Sequence, residues 1–395
     1  MTIALQFDAS RLKDPALVPI ATRVLNSERL TASDALVLFK SHDLLGVGMM
    51  ADAVNRARNG NRVTFAANQH INPTNICVLR TTCTFCGYAR LPKEEGAYRF
   101  SVEQVLAEAA HAENGITREF HIVGGLDMKA GLAYYIDVFR ALKSRHPNVH
   151  IKALTAVEIA HIARIEKKSS EEVLVALRDA GLDTLPGGGA ETFSAAVRDR
   201  IANKKLGGSD FIDVHRTAHK LGIRSNCTML YGHVETMEDR VEHLTMLRDL
   251  QDETGGFLAY IPLAYHPDDN QLGRELGREG TSTTGIDDLR NLAVARLYLD
   301  NFAHIKSHWI MVTQPLTQVA LHFGVNDIEG TVVRERIYHA VGAHTPQGMT
   351  LDNLLALIRG AGKVPAERDS FYNVLREFPD VPAHENGDAL IGSAA

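Results

Sequence analysis

Two patterns of apolar and polar positions divide the chain. Up to residue 62 apolar residues recur at helical spacing: ASDALVLFKS and LLGVGMMADAVNRARNG each gather them on one face, and the second run stops at Asn-Gly. From residue 63 onward short β-rich runs alternate with amphipathic stretches. Eight runs read as strands: VTFAANQH (63–70), EFHIVGG (119–125), HIKALTA (150–156), DTLPG (183–187), RSNCTML (224–230), FLAYIPLA (257–264), HIKSHWIM (304–311) and VNDIEG (325–330). Helices are predicted between them. Ser101 and Gln104 form a capping box ahead of Val102, Val105, Leu106 and Ala109, and Ser169 with Glu172 forms another ahead of a helix that ends at Gly181. Leu132, Tyr135, Ile136, Phe139 and Leu142 make one further apolar stripe, and Phe211, Val214, Ala218 and Leu221 make the next.

Strand–helix alternation at this spacing predicts a parallel sheet, and eight units predict a closed (β/α)8 barrel of the TIM type, an α/β fold. The expected organisation is an N-terminal helical extension over 1–62, the barrel over 63–345, and a C-terminal helical extension with its tail over 346–395. Residues 348–378 read as two more helices, and HENGDALIGSAA reads as a frayed end. HPDDNQLGRELGREGTSTT (266–284) is a long polar insertion after the sixth strand. Such a loop either covers a site or is a solvated excursion.

Composition narrows the function classes. With 395 residues, 45% apolar and 23% charged, the chain can bury a large core without staples. A net charge of −6 argues against a broad nucleic-acid surface. No apolar run is long enough to span a bilayer, and MTIALQFDASRLKD lacks the basic-then-apolar layout of a secretory signal. The expected location is the cytoplasm, with no membrane partner. A reducing compartment disfavours a structural disulfide.

The candidate chemistry lies in NICVLRTTCTFCGY (75–88), which holds three of the four cysteines. Cys77, Cys83 and Cys86 are spaced C-x5-C-x2-C directly after the first predicted strand, at the mouth where barrel enzymes place their sites. Two metal readings are open. Three thiolates are one short of a closed zinc site, which His70 or Cys227 would complete. Three thiolates also suit a 4Fe–4S cluster with one iron left free. On such an iron S-adenosylmethionine can dock through its amino and carboxylate groups and receive a single electron. Its cleavage yields a 5′-deoxyadenosyl radical, with the protein supplying position.

The stretch from 63 to about 375 resembles the radical S-adenosylmethionine enzymes, and more narrowly the aminofutalosine synthases of the futalosine route to menaquinone. The resemblance rests on NQHINPTNIC (68–77), CTFCGY (83–88), FHIVGGL (120–126), HIKALTAVEI (150–159), GLDTLPGGGAE (181–191), HRTAHKLGIRSNCTMLYGHVET (215–236) and DETGGFLAYIPLAYHP (252–267). It departs from the family in two places. The family loop is C-x3-C-x2-C, and Asp127-Met128 stands where the family tends to carry His-Pro. The resemblance implies that Cys77, Cys83 and Cys86 hold the cluster, and that Tyr88 lies beside the adenine. It also implies that backbone at Gly124 and Gly125 approaches the methionine amino group of the cofactor.

Several of these residues have a plainer reading. The glycine pair also suits a strand-to-helix turn. Thr155 and Glu158 end the third predicted strand; Glu158 would bond the ribose or amine of the cofactor, or simply favour a helix start. Glu191, after the glycines of PGGGAE, is a polar residue for cofactor or catalysis. His70, His121, His233 and His266 lie on or after converging strands, though any one histidine is usually just a hydrogen-bonded residue. Arg224 is a candidate for pairing with substrate carboxylate, although it opens its strand. Cys227 reads most simply as a small buried residue.

The implied reaction adds the 5′-deoxyadenosyl radical to 3-[(1-carboxyvinyl)oxy]benzoate, giving 6-amino-6-deoxyfutalosine. S-adenosylmethionine is consumed, and a one-electron donor such as flavodoxin or ferredoxin is required. The rival readings are a sister radical enzyme, acting on dehypoxanthine futalosine or making the deazaflavin precursor, and a zinc-stabilised binding module.

Overall fold

The computed structural model describes residues 5–281 and 283–379. The frayed end expected from HENGDALIGSAA lies outside the described residues. The strands are β1 (Arg62–Phe65), β2 (Asn68–Ile71), β3 (Glu119–Ile122), β4 (His150–Ala153), β5 (Ser225–Tyr231), β6 (Phe257–Ala264), β7 (His304–Ser307), β8 (Asp327–Ile328), β9 (Val364–Arg368) and β10 (Val374–Glu377). They form a seven-stranded sheet ordered β10-β9-β1-β8-β7-β6-β5 and a three-stranded sheet ordered β2-β3-β4. Every pairing is parallel except β9 with β10.

The first predicted strand is two. β1 and β2 are separated by Ala66-Ala67, and they join different sheets. The fourth predicted strand is reduced to two parallel bridges, Lys152 with Thr184 and Leu185 with Ser225. Those bridges link β4 of the small sheet to β5 of the large one. At the other side His70 N–H of β2 donates to Val332 O at 3.0 Å, just past β8. Each sheet thus finds a partner in the other at both junctions. This satisfies edge backbone groups that burial would otherwise leave unpaired.

The helices between strands start where the sequence supplies caps. Ser101 with Gln104, Thr155 with Glu158, Ser169 with Glu172 and Thr236 with Asp239 are complete capping boxes. The two N-terminal helices read from the sequence run Ala32–Lys40 and Leu44–Asn59. The second packs on the helix Gly285–Tyr298, and the first packs on Met237–Thr254. No helix among the described residues is long and apolar enough to cross a membrane.

The C-terminal region differs from the expected pair of helices. One helix, Leu351–Gly360, is followed by β9 and β10, and β9 pairs in parallel along the whole of β1. The segment VPAER alternates poorly on a helical face but presents Ala366 and Arg368 to the interior. Arg368 is wholly buried. Its guanidinium makes two 2.8 Å hydrogen bonds to the Asp327 carboxylate, which also accepts from Thr64 at 2.6 Å and Tyr372 at 3.0 Å. Lys306 stands 3.4 Å from Asp327 and 3.2 Å from Glu329, while Lys152 meets Glu119 at 2.7 Å. Three buried cations and three buried anions therefore balance inside the sheets. Burial would raise the Asp327 pKa, but Arg368 and Lys306 outweigh it and hold it at about 2.

Candidate active site

The carboxyl ends of the parallel strands open on a cavity of about 340 Å³. Parallel strands direct their following loops to one end, so loops from distant parts of the chain meet there. The cysteine loop forms one wall. Arg80 N–H returns to Cys77 O at 3.2 Å, and the Thr82 and Cys83 amides share Leu79 O at 2.9 Å each. The residues that make this loop longer than C-x3-C-x2-C are thus taken up in a tight turn. All three cysteines line the cavity; Cys83 is buried, and Cys77 and Cys86 are partly exposed. Burial pushes the Cys83 thiol up to about 12 against the opposing pull of Lys205, and it raises Cys77 as well.

No group of three or more His, Cys, Asp or Glu among the described residues could hold a single metal ion. A tetrahedral zinc site needs its sulfurs within about 4 Å of one another, given the metal–sulfur bond length. Around a 4Fe–4S cluster each thiolate meets a different iron, so the sulfurs stand further apart. Three cysteines on one cavity are the donor set of a 4Fe–4S cluster that leaves one iron free. Cys227, the other proposed fourth zinc ligand, is fully buried with its thiol toward Ala259 O at 3.7 Å, and it does not line the cavity.

Gly124 and Gly125 follow β3 and line the cavity beside the cysteine loop. A Cβ at Gly125 would lie 2.2 Å from Ile76 O, and one at Gly124 would lie 2.8 Å from Thr74 O. The pair therefore lets β3 approach the segment that leads into Cys77. Asp127, where the family pattern differs, makes two hydrogen bonds to Arg99 (2.6 and 2.5 Å) and accepts from Thr74 Oγ1 at 3.2 Å, fastening the same corner.

Glu158 is buried and serves two backbones at once. One carboxylate oxygen accepts the Gly124 N–H at 2.9 Å; the other accepts from Thr155 N–H at 2.7 Å and Thr155 Oγ1 at 2.8 Å. Leu154, just before this cap, has φ +60°, and Glu191, which lines the cavity, has φ +54°, two strained positions. Burial pushes the Glu158 pKa up to about 7 despite those hydrogen bonds. The carboxylic acid form is thus favoured by folding. The stability it lends is complete below the ordinary value near 4.5 and is lost as pH rises through about 7. Chemical denaturation of the metal-free protein should show that slope between about pH 4.5 and 7, and Glu158→Gln should flatten it.

Glu191 pairs with Lys205 at 2.5 Å, and the ammonium stands 5.4 Å from the ring of Phe85, which lies between Cys83 and Cys86 in the chain. Burial lowers the Lys205 pKa, but Glu191 and Cys83 override this and raise it. Lys205 lies in ANKKLGG, a stretch in which no site residue is read from the sequence. Tyr88 lines the cavity with its hydroxyl 2.6 Å from that of Tyr98, and burial holds its phenol well up.

His70 and His121 stack at 4.5 Å on neighbouring β2 and β3, and both line the cavity. His266 also lines it, edge-on to Tyr338 at 4.9 Å. The first part of the polar insertion lies against the cysteine loop: Asn270 caps a short helix, Gln271–Glu275, and Leu272 N–H donates to Thr84 O at 2.9 Å, whereas Arg278 and Thr281 line the separate hollow around His233. Glu335, Tyr338 and Val341 complete this cover from a region in which no site residue is read from the sequence.

Two expected site residues fall elsewhere. Arg224 is exposed at the amino end of β5, the end opposite the cysteine loop, where its carbonyl accepts Leu185 N–H at 3.0 Å. His233 sits outside the cavity, with one ring nitrogen accepting Val234 N–H at 2.7 Å and the other 3.1 Å from Leu230 O. Its side chain is held beside Glu235, in a separate polar hollow with Arg240 and Arg278.

Residues 71–247 match the model of the radical SAM superfamily, and residues 254–381 match the CofH/MqnC C-terminal region. The chain is 47% identical to aminodeoxyfutalosine synthase of Thermus thermophilus over 94% of this chain and 99% of that one. It is 41% identical to aminodeoxyfutalosine synthase of Streptomyces coelicolor, over 92% and 96%. Identity to cyclic dehypoxanthine futalosine synthase of Streptomyces coelicolor is 36%, over 95% and 93%. In fold it resembles methylornithine synthase, with a TM-score of 0.69 and 16% identity over 88% of this chain and 97% of that one.

Proposed function

The chain belongs to the radical SAM superfamily and, within it, to the aminodeoxyfutalosine synthase family, and from that membership we propose that it joins the 5′-deoxyadenosyl group of S-adenosylmethionine to 3-[(1-carboxyvinyl)oxy]benzoate, forming 6-amino-6-deoxyfutalosine with loss of a carboxylate carbon. It is an enzyme of a superfamily that uses a 4Fe–4S cluster and S-adenosylmethionine. The observation that carries the synthase reading over the sister reactions is identity of 47% across 94% of the chain, against 36% to the cyclase.

When bound, the cluster supplies the single electron that breaks a carbon–sulfur bond of S-adenosylmethionine. The chain's own residues do the rest. Cys77, Cys83 and Cys86 hold three of the irons. Gly124, Gly125, Thr155 and Glu158 shape the wall against which the cofactor lies, with Tyr88 beside its adenine and Lys205–Glu191 as the charged pair nearest it. Ile261, Leu263 and Met311 give the remaining wall an apolar face that excludes water and stray hydrogen donors. The 266–284 segment and Tyr338 close it. The external electron donor is a one-electron carrier of the flavodoxin or ferredoxin kind.

The test is anaerobic incubation of cluster-loaded, reduced protein with both substrates. One adduct carrying the adenosyl group is expected. Release of 5′-deoxyadenosine with no adduct would refute the synthase reading, and cyclisation of dehypoxanthine futalosine would assign the sister reaction.

A further inference from the structure

The cavity has a polar floor for which the cluster chemistry gives no reason. β2 contributes His70, β3 contributes His121, the turn after β7 contributes His308, and the turn after β8 contributes Glu329; all four line the cavity. Two ring nitrogens there, His70 Nε2 and His308 Nδ1, are buried without a hydrogen-bond partner among the described residues. An unpaired buried polar atom is destabilising, so such a pair on a cavity wall points to a ligand. His70 Nε2 is 3.9 Å from Glu329 Oε1, too far for a direct bond. No arginine lines the cavity, and its lysine, Lys205, is held by Glu191 on the opposite, cysteine side.

We propose that His70 and His308 form the subsite for a carboxylate of the aromatic acceptor, and that the carboxylate binds together with one proton, taken by an imidazole that then stands between it and Glu329. The identity of the acceptor rests on the proposed function; the carboxylate subsite does not.

Charge balance in the site calls for the proton. The groups behind the floor are already neutral in sum. Glu119 and Lys152 pair at 2.7 Å from β3 and β4. From β7, Lys306 faces both Asp327 of β8 and Glu329, and Arg368 of β9 takes Asp327. Glu329 also accepts Asn68 Nδ2 at 2.6 Å. From the cover, Glu335 adds a further carboxylate, 2.6 Å from His339 Nδ1. An incoming carboxylate is therefore an uncompensated anion in a buried site, which is costly unless a cation arrives with it. In the free protein burial lowers both His121 and His308, so neutral imidazoles await the ligand. Binding raises the pKa of the one that takes the proton. Affinity must then increase as pH falls.

The probe is 3-methoxybenzoate, with 3-methoxybenzamide as its uncharged control, titrated into cluster-loaded, unreduced protein by calorimetry in two buffers of different ionisation enthalpy. The acid is expected to bind with uptake of about one proton, its Kd tightening about tenfold per pH unit on going from about pH 8 to 7; the amide should bind with none. Glu329→Gln removes one negative charge that the ligand then replaces. It should bind the acid without uptake, no more weakly than the parent at pH 8, a result that mere loss of structure could not give. His70→Phe should lose acid affinity at least about tenfold and keep the amide. Acid binding without proton uptake in the parent, no acid binding at all, or full uptake in Glu329→Gln would each overturn the subsite. If the acid behaves as expected but no adduct forms from the full acceptor, the subsite stands and the synthase reading falls.

Discussion

Cys83→Ala is expected to lose cluster and turnover in one step. Cys83 is the buried member of the three cysteines, fixed by its amide to Leu79 O at 2.9 Å and by the return of Cys86 N–H to its own carbonyl at 3.2 Å. Its backbone place does not depend on its sulfur, so alanine leaves the loop in position and removes only the ligand. Anaerobic reconstitution should give about four irons and four sulfides per chain in the parent and close to none in the variant. The broad visible absorption and the formation of adduct should vanish together. Cys227→Ala is the matched control: its thiol faces Ala259 O away from the cavity, and iron content should be unchanged. Adduct formation that survived in Cys83→Ala would refute its assignment as a ligand.

The largest effect on stability is expected at Arg368→Ala. This guanidinium is wholly buried, takes both oxygens of Asp327, and lies 3.7 Å over the Tyr372 ring. Removing one partner of a buried pair leaves the other uncompensated, which costs about 3–5 kcal/mol. The free energy of unfolding in urea should fall by that amount. Adding Asp327→Asn to Arg368→Met should recover much of the loss, because a neutral amide is cheaper to bury beside Lys306 than an unpaired carboxylate and the methionine keeps the volume. A single variant within about 0.5 kcal/mol of the parent would show that the pair does not carry the balance assigned to it.

The sequence discloses elements wherever local chemistry decides them. The boxes at Ser101 and Ser169 are written in four residues each, and the helices start there. The strand core runs are equally plain from β3 to β8 with the exception of 183–187 and of the second half of 304–311, where Trp309–Val312 is helical. At 183–187 pairing is set by neighbours β4 and β5, and proline with three glycines cannot hold a ladder; Gly187 instead packs where a Cβ would be 2.3 Å from Cys227 Cα. β9 was hidden for a related reason: VPAER has a proline and an acidic residue, and only its parallel register with β1, some 300 residues earlier, makes it a strand.

The site divides in the same way. Cysteines, paired glycines and histidines on strands have recognisable spacing. Lys205, His308 and Glu329 acquire their roles from what folds over them: a cavity wall, an unpartnered ring nitrogen, a buried anion. Arg224 illustrates the converse. Its residue type suits a carboxylate, but its position at the amino end of β5 turns it to solvent.

The pairing of β9 with β1 has a consequence for biosynthesis. A chain emerging from the ribosome carries Asp327 long before the guanidinium that neutralises it, and β1 exposes one flank until Val364–Arg368 arrives. Native structure is therefore completed only after translation has passed residue 368 and the exit tunnel has released it. Until then the nascent polypeptide has an open strand edge, the kind of surface that chaperones bind.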